Sequence, residues 1–192
     1  LREWTRDPSP HVRRLVSEGT RPRLPWAPRL RAFQQDPTPV LALLDVLRDD
    51  PELYVRRSVA NNLNDIGKDH PQRLVETAAQ WMDGASDERR WIVQHALRSA
   101  VKRGDAAALA VLGYGAASTL TVESTRIAPA RPALGGSVSI STTLHNPSRR
   151  TQRVIVDVLV HFVKANGRTN PKVFKMSVVE IAAGASVTLR KT

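Results

Sequence analysis

HVRRLVSEGTR (residues 11–21) and YVRRSVANNLN (residues 54–64) share a Val-Arg-Arg-x-Val frame that decides the fold. In both stretches the apolar residues recur every three or four positions, which is the spacing of an amphipathic helix. RRWIVQHALRSAVKR, at residues 89–103, is a looser third copy. A repeat of about 35–45 residues, with two helices in each copy, is typical of a HEAT-like solenoid.

The same spacing, together with the Pro and Gly residues between the apolar runs, predicts six helices. Their predicted ranges are 10–21, 38–49, 52–67, 71–83, 87–103 and 105–113. The first domain is therefore predicted to be an all-α HEAT-like helical-repeat solenoid that covers residues 1–116. About three repeats are needed for a stable stack, so we expect further repeats to precede Leu1. The concave face of such a stack is a natural binding surface.

After residue 116 the apolar period changes to two, which is the period of β-strands. Turn-like segments separate the strand-like segments TLTVEST, SVSISTTLHN, QRVIVDVLVHFVK, VFKMSVVEI and ASVTLRK. Short strands at this spacing predict an all-β immunoglobulin-like sandwich over residues 117–192. A complete sandwich has about seven strands, so we expect an edge of it to lie beyond Thr192. The predicted fold class is multidomain.

The composition points to a polyanionic partner. Lys and Arg total 29 against 18 Asp and Glu, which gives a net charge of +11. No apolar run of about 18 residues and no basic helix with aromatic anchors is evident, so nucleic acid is favoured over a membrane. Cysteine is absent, which excludes disulfides and Cys-ligated zinc and fits a reducing compartment. We expect a cytoplasmic, nucleoid-associated protein.

The second domain carries most of this charge. Residues 117–192 hold 11 of the Lys and Arg residues and 3 of the Asp and Glu residues, a balance of +8. The densest cationic segment is PSRRTQR, at residues 147–153. Because LGYGAAS is a short linker, we expect the second domain to close nucleic acid against the helical face, with Arg149 and Arg150 contacting phosphates.

Polar residues follow helical spacing in the second repeat. Arg57, Asn61 and Asp65 are four positions apart, with Asn64 and Lys68 beside them. We expect this row on the exposed side of its helix. In the first repeat Arg14 and Glu18 form a similar row, and matching Val12 to Val55 puts Arg14 level with Arg57 and Glu18 level with Asn61. Two interpretations remain open here, a catalytic face or a solvated face with weak ion pairs.

Trp26, in the proline-rich segment RPRLPWAP, also has two interpretations. It is either a hydrophobic plug under a loop or an aromatic wall for a base or a cation. Trp4, Trp81 and Trp91 lie in helical patterns and are predicted to be core residues. His70 and His95 lack the spacing of metal ligands, so both are interpreted as structural or close to phosphate. The motifs of serine hydrolases, nucleotide-binding loops and zinc proteases are absent.

The segments RRLVSEGTRPRLPW, YVRRSVANNLNDIGKDHP and WIVQHALRSAVKRGD closely resemble the AlkC-like alkylpurine DNA glycosylases of the AlkC/AlkD helical-repeat superfamily. The resemblance covers most of residues 1–115, and the β-rich tail resembles the immunoglobulin-like domain that many AlkC members append. It implies excision of cationic N-alkylated bases, notably 3-methyladenine, without full base flipping. Glu18, Asp65, Trp26 and Arg14 match positions associated with the family's active site.

This resemblance sets the expected roles. Asp65, supported by Glu18, would stabilise an oxocarbenium-like sugar and position water, as carboxylates do in glycoside hydrolysis. Trp26 and Arg14 would bind substrate. The expected DNA contacts are Arg57, Asn61, Lys68, Arg149 and Arg150. No metal and no cofactor is expected, and the partner is double-stranded DNA with alkylated bases, bound by a monomer. The alternatives are a non-catalytic HEAT-repeat protein that binds DNA structure and a protein-interaction scaffold.

Overall fold

Helices form the first part of the chain at nearly the predicted positions. The computed structural model describes residues 1–115 and 118–192, and in it each predicted helix is confirmed to within two residues at either end. Two short elements were not predicted, a 3₁₀ helix and α2, because five residues or fewer show no apolar period. The elements are the 3₁₀ helix Glu3–Arg6, α1 (Pro10–Gly19), α2 (Arg31–Gln35), α3 (Thr38–Leu47), α4 (Leu53–Ile66), α5 (Pro71–Met82), α6 (Asp87–Lys102) and α7 (Ala106–Val111).

The helical core is centred on α4, which packs between α1 and α6. Its apolar side, Val55, Val59, Leu63 and Ile66, is completely buried. Trp81 is also buried, as predicted for a core residue, and its indole N–H donates to Asp45 Oδ1 at 3.0 Å.

The other two helical tryptophans depart from the core prediction to different degrees. Trp91 is half-buried against the core and stacks on His95, with 5.0 Å between the ring centroids. Trp4 is exposed, so its assignment to the core is wrong. Trp4 lies in the four-residue 3₁₀ helix, in which Thr5 is the buried residue. A helix of one turn buries one side only, and Trp4 is on the other side.

The two arginines of each repeated Arg-Arg pair differ in their contacts. The first arginine of each pair turns back to the chain before its own helix, so that Arg13 Nη1 donates to Asp7 O at 2.8 Å and Arg56 Nη1 donates to Asp50 O at 2.7 Å. Arg13 also binds the buried carboxylate of Asp50, at 2.6 Å. These bonds satisfy carbonyl groups and join consecutive repeats. The second arginines, Arg14 and Arg57, do not make these bonds and lie on a different face of their helices.

Five strands form the second part of the chain. They are β1 (Thr121–Ala128), β2 (Ser139–His145), β3 (Gln152–Val163), β4 (Thr169–Ile181) and β5 (Ser186–Lys191). One antiparallel sheet has the order β1-β2-β5, and β3 pairs with β4 in a second antiparallel sheet. The prediction of a helical-repeat solenoid followed by a β-rich immunoglobulin-like part is confirmed.

The chain divides into two compact units, Leu1–Gly113 and Tyr114–Thr192. The domain boundary predicted between residues 116 and 117 lies outside the residues that the structure describes. Among the described residues, none of the helices combines the length and the apolar character that crossing a membrane requires.

Candidate active site

The row of polar residues on α4 lies only partly on the exposed side of the helix: Arg57 and Lys68 are exposed, but the expectation is wrong for Asn64 and Asp65. Asn62, Asn64 and Asp65 are all buried. The reason is that α1 packs across this part of α4, and the amide of Asn62 donates to Ser17 O at 2.7 Å and to Thr20 Oγ1 at 3.0 Å. Asparagine is a poor residue for a helix interior, but Asn62 here donates a hydrogen bond to the backbone of the neighbouring repeat.

One guanidinium joins the two candidate carboxylates. Arg21 follows the C-terminal end of α1, and its Nε donates to Asp65 Oδ2 at 2.8 Å, while its Nη2 lies 2.7 Å from the same oxygen. Its Nη1 atom donates to Glu18 Oε1 at 2.8 Å. Since Glu18 lies on α1 and Asp65 on the last turn of α4, the structure brings together the two carboxylates that the sequence singled out.

Both carboxylates accept hydrogen bonds on their second oxygen as well. Lys68 Nζ donates to Asp65 Oδ1 at 2.7 Å. Ser58 Oγ donates to Glu18 Oε2 at 2.7 Å, and Arg14 Nη2 lies 3.4 Å from the same oxygen. Side chains surrounded by donors in this way act as acceptors, so they are suited to stabilise positive charge or to hold water, and not to give up a proton.

The second arginines of the repeated pairs lie on the face of this cluster. Arg14 is half-buried beside Glu18, and its guanidinium stacks over the ring of Tyr54 at 4.7 Å. Arg57 is exposed and, within the described residues, makes no ion pair. Arginine side chains are suited to contact phosphate groups, because the guanidinium presents several N–H donors in a planar fork.

A third helix extends the cluster. Asn61 Oδ1 accepts from Arg98 Nη2 at 3.0 Å and from His95 Nε2 at 3.1 Å. Because an amide oxygen only accepts, this geometry assigns the Nε2–H tautomer to His95. Arg98 and His95 lie one turn apart on α6, so α1, α4 and α6, which carry the three copies of the repeated motif, all contribute to this polar cluster.

The ionisation of these groups follows from their surroundings. Burial disfavours a charge on Arg21, but its hydrogen bonds to Asp65 and Glu18 outweigh burial and raise its pKa. Burial, followed by the charges of Arg98 and Arg57, lowers the pKa of His95, so this ring is neutral at pH 7. Burial also lowers the pKa of the Arg98 guanidinium.

Trp26 is fully exposed, so the interpretation as a plug under the loop is wrong. Its backbone has φ = 64°, a left-handed conformation that is strained for any residue with a Cβ atom. Beside it, Arg23 pairs with Asp69, and Gln34 Nε2 also donates to Asp69 at 3.2 Å. The bonds of Arg23 and Gln34 to Asp69 hold the loop in place, and the indole of Trp26 is exposed to solvent.

The second unit holds its cationic loop on a buried asparagine. Asn146 donates to Arg150 O at 2.8 Å and to Ile181 O at 2.9 Å, and its Oδ1 accepts from the backbone N–H of Ser148 at 3.1 Å. Arg149 and Arg150 are exposed on the turn that results.

Sequence reasoning missed four members of these clusters. Arg21 and Ser58 contact Glu18 from three positions away and from the next repeat, and neither lies in the i, i+4 rows that were counted. Arg98 had a weak signal in the third copy of the repeat, three residues after His95. Asn146 opens the Asn-Pro pair before the cationic loop, which is a recognisable turn signal.

Comparison with known proteins places this geometry in context. Residues 121–192 match the family model described as "Uncharacterised protein YhaZ, C-terminal Ig-like domain". The chain is 44% identical over 181 residues to the protein YhaZ of Bacillus subtilis (strain 168), covering 94% of this chain and 50% of that protein.

A solved structure matches over both parts of the chain. It is the alkylpurine DNA glycosylase AlkC of Pseudomonas fluorescens, bound to DNA that contains an abasic-site analogue. The TM-score is 0.92 and the identity 40%, with 98% of this chain and 52% of that chain covered. The resemblance to the AlkC-like proteins is thereby confirmed, and the chain spans about half the length of the relatives it matches.

Proposed function

We propose that this AlkC-like chain carries the active site of a DNA-repair glycosylase that hydrolyses the N-glycosidic bond of cationic N-alkylated bases of the 3-methyladenine type, without fully flipping the base. The observation that carries the proposal is the cluster in which Arg21 joins Glu18 to Asp65. The likeness to a glycosylase solved with DNA supports it.

The chemistry fits a site whose two carboxyl groups accept hydrogen bonds from the donors around them. In a cationic base the bond from C1′ to the ring nitrogen breaks with its electron pair going to the base, which leaves as a neutral molecule. The base needs no protonation, so the enzyme must stabilise the positive sugar and orient the water that attacks C1′. Asp65 takes the first role and Glu18 supports it by holding the water and taking up its proton.

The cationic residues around the carboxylates supply the DNA contacts. Arg14, Arg57 and Lys68 bind phosphates, and Asn61 presents its N–H groups from the same surface. Exposed Trp26 contacts the cationic base or the sugar, worth about 0.5–2 kcal/mol as a cation–π contact. The partner we propose is double-stranded DNA with alkylated bases, bound by a monomer in the cytoplasm, at the nucleoid.

Base release is the direct test. The intact protein is incubated with DNA methylated on its bases, and the free bases are separated and quantified. Release of 3-methyladenine, dependent on the protein, supports the proposal. DNA binding without release would leave the non-catalytic DNA-binding alternative, and absence of both would leave the protein-interaction scaffold.

A further inference from the structure

We infer that Ser58 is a positioning residue for the reaction, because its buried hydroxyl holds Glu18 in the orientation in which it accepts a proton from water. This inference rests on the proposed function and concerns the same site. It assigns a role to a side chain that does not itself touch substrate.

The position of the Ser58 side chain is unusual for a helix interior. A serine inside a helix ordinarily bonds to the carbonyl one turn before it or points to solvent. Ser58 is 2% exposed, and its hydroxyl instead crosses to the neighbouring repeat, where it donates to Glu18 Oε2 at 2.7 Å. A short bond to a carboxylate is stronger than a neutral hydrogen bond.

The hydroxyl of Ser58 donates to Glu18 because a carboxylate oxygen only accepts. Ser17 lies behind it and is completely buried, with its Oγ 2.8 Å from Ser58 Oγ and 3.0 Å from Arg14 O. The single proton of Ser17 can go to either of these acceptors, so Ser17 adjoins the Ser58–Glu18 bond but is not required for it. The two hydroxyls form a chain that ends on the carboxylate.

This chain acts together with the guanidinium of Arg21. Arg21 binds Glu18 Oε1 and Ser58 binds Oε2, so the carboxylate is fixed at both oxygens. Two fixed oxygens define the plane in which the remaining lone pairs point, and those lone pairs are where a water molecule must bind. Without Ser58, Oε2 of Glu18 keeps only the longer contact to Arg14 Nη2, at 3.4 Å, and the carboxylate can turn about its bond to Arg21.

The test is Ser58→Ala in the intact protein, with Ser17→Ala as the matched control and Ser58→Thr as the variant that retains the hydroxyl. Alanine is the better helix former, so Ser58→Ala is expected to fold, and a thermal melt checks this. Single-turnover excision is measured against pH, beside DNA affinity.

We expect Ser58→Ala to slow excision about 10-fold, the usual scale for one positioned hydrogen bond, and to leave DNA affinity within twofold of wild type. A carboxylate that loses a donor is protonated more easily, so the acid limb of the rate profile should move to higher pH. Ser17→Ala should keep the wild-type limb, because it leaves the Ser58–Glu18 bond in place, and Ser58→Thr should restore it.

Each outcome decides between the two proposals. If wild type releases base and the limb of Ser58→Ala does not move, the role of Ser58 is refuted and the proposed function stands. If Ser17→Ala moves the limb as far as Ser58→Ala, the effect comes from packing and the inference also fails. If wild type releases no base, the proposed function and the inference fall together.

Discussion

The substitution Asp65→Asn tests the proposed chemistry most directly. It keeps the volume of the side chain and one oxygen that can accept from Arg21, but it removes the negative charge that we propose stabilises the sugar. Removing one preorganised electrostatic interaction costs about 3 kcal/mol of transition-state stabilisation. Excision should therefore slow by about 10²-fold or more, while DNA affinity stays close to that of wild type.

The same change also affects folding, so a matched control is needed. Asp65 is 1% exposed and neutralises Arg21 and Lys68. Breaking a buried ion pair costs about 3–5 kcal/mol when one partner is deleted, which is why Asn is preferable to Ala here. Asp50 is the control, because it is also buried and binds Arg13 through both carboxylate oxygens, at 2.6 and 3.0 Å.

The assay compares Asp65→Asn and Asp50→Asn under single-turnover conditions, with a thermal melt and a DNA titration of each. Both variants should melt earlier than wild type, and only Asp65→Asn should lose excision. Near-normal excision by Asp65→Asn would refute the role of this carboxylate. Equal loss in both variants would show that instability, and not chemistry, causes it.

Three further outcomes are expected. Trp26→Gly should relieve the strained backbone and gain about 1 kcal/mol of stability, yet slow excision of cationic lesions. Unchanged excision would show that the indole does not contact the lesion. Changing Arg149 and Arg150 to Ala should weaken binding to damaged and undamaged DNA alike and lower the log–log salt slope by about 0.9 for each phosphate that the loop no longer neutralises, and an unchanged slope would show that this loop does not bind DNA. The lowered pKa of His95 means that the folded state takes up its proton less readily than the unfolded state, so stability should fall as pH drops below about 6.5, where the unfolded ring becomes protonated; melts from pH 7.5 to 5.5 should show a smaller fall in His95→Gln.

The fold could be predicted from the sequence because its helices are amphipathic and its repeats are similar. Pro and Gly residues near helix ends gave boundaries to within two residues, and the change to a period of two marked the strands. The elements that escaped prediction are too short to show a period. The burial of Trp4 was predicted wrongly for a related reason. A single aromatic residue in one helical turn does not indicate which side of that turn packs against the core.

Only the site residues that show a local spacing pattern could be predicted from the sequence. Glu18 and Asp65 stand out because each is in a row of polar residues at i, i+4. Arg21 and Ser58 do not stand out, because their bonds to Asp65 and Glu18 join residues 44 and 40 positions apart. Burial of the Asn62 segment was misjudged for the same reason, since a sequence does not state which neighbouring helix covers a polar face.

The repeats explain why the carboxylates Glu18 and Asp65 lie together at one place in the helical unit. Glu18 on α1 accepts from Ser58 on α4, and Asn61, at the equivalent position of α4, accepts from Arg98 on α6. In the first two copies of the repeat, the same level therefore carries an acceptor that is held by the corresponding helix of the following copy. Only the first of these acceptors is a carboxylate, and only there does Arg21 bring a second one alongside. Because α1 has Glu and α4 has Asn at this level, the paired carboxylates Glu18 and Asp65, both bound to Arg21, lie at the junction of α1 and α4. The side chains that contact this pair or its neighbour Asn61 include the cationic Arg14, Lys68 and Arg98.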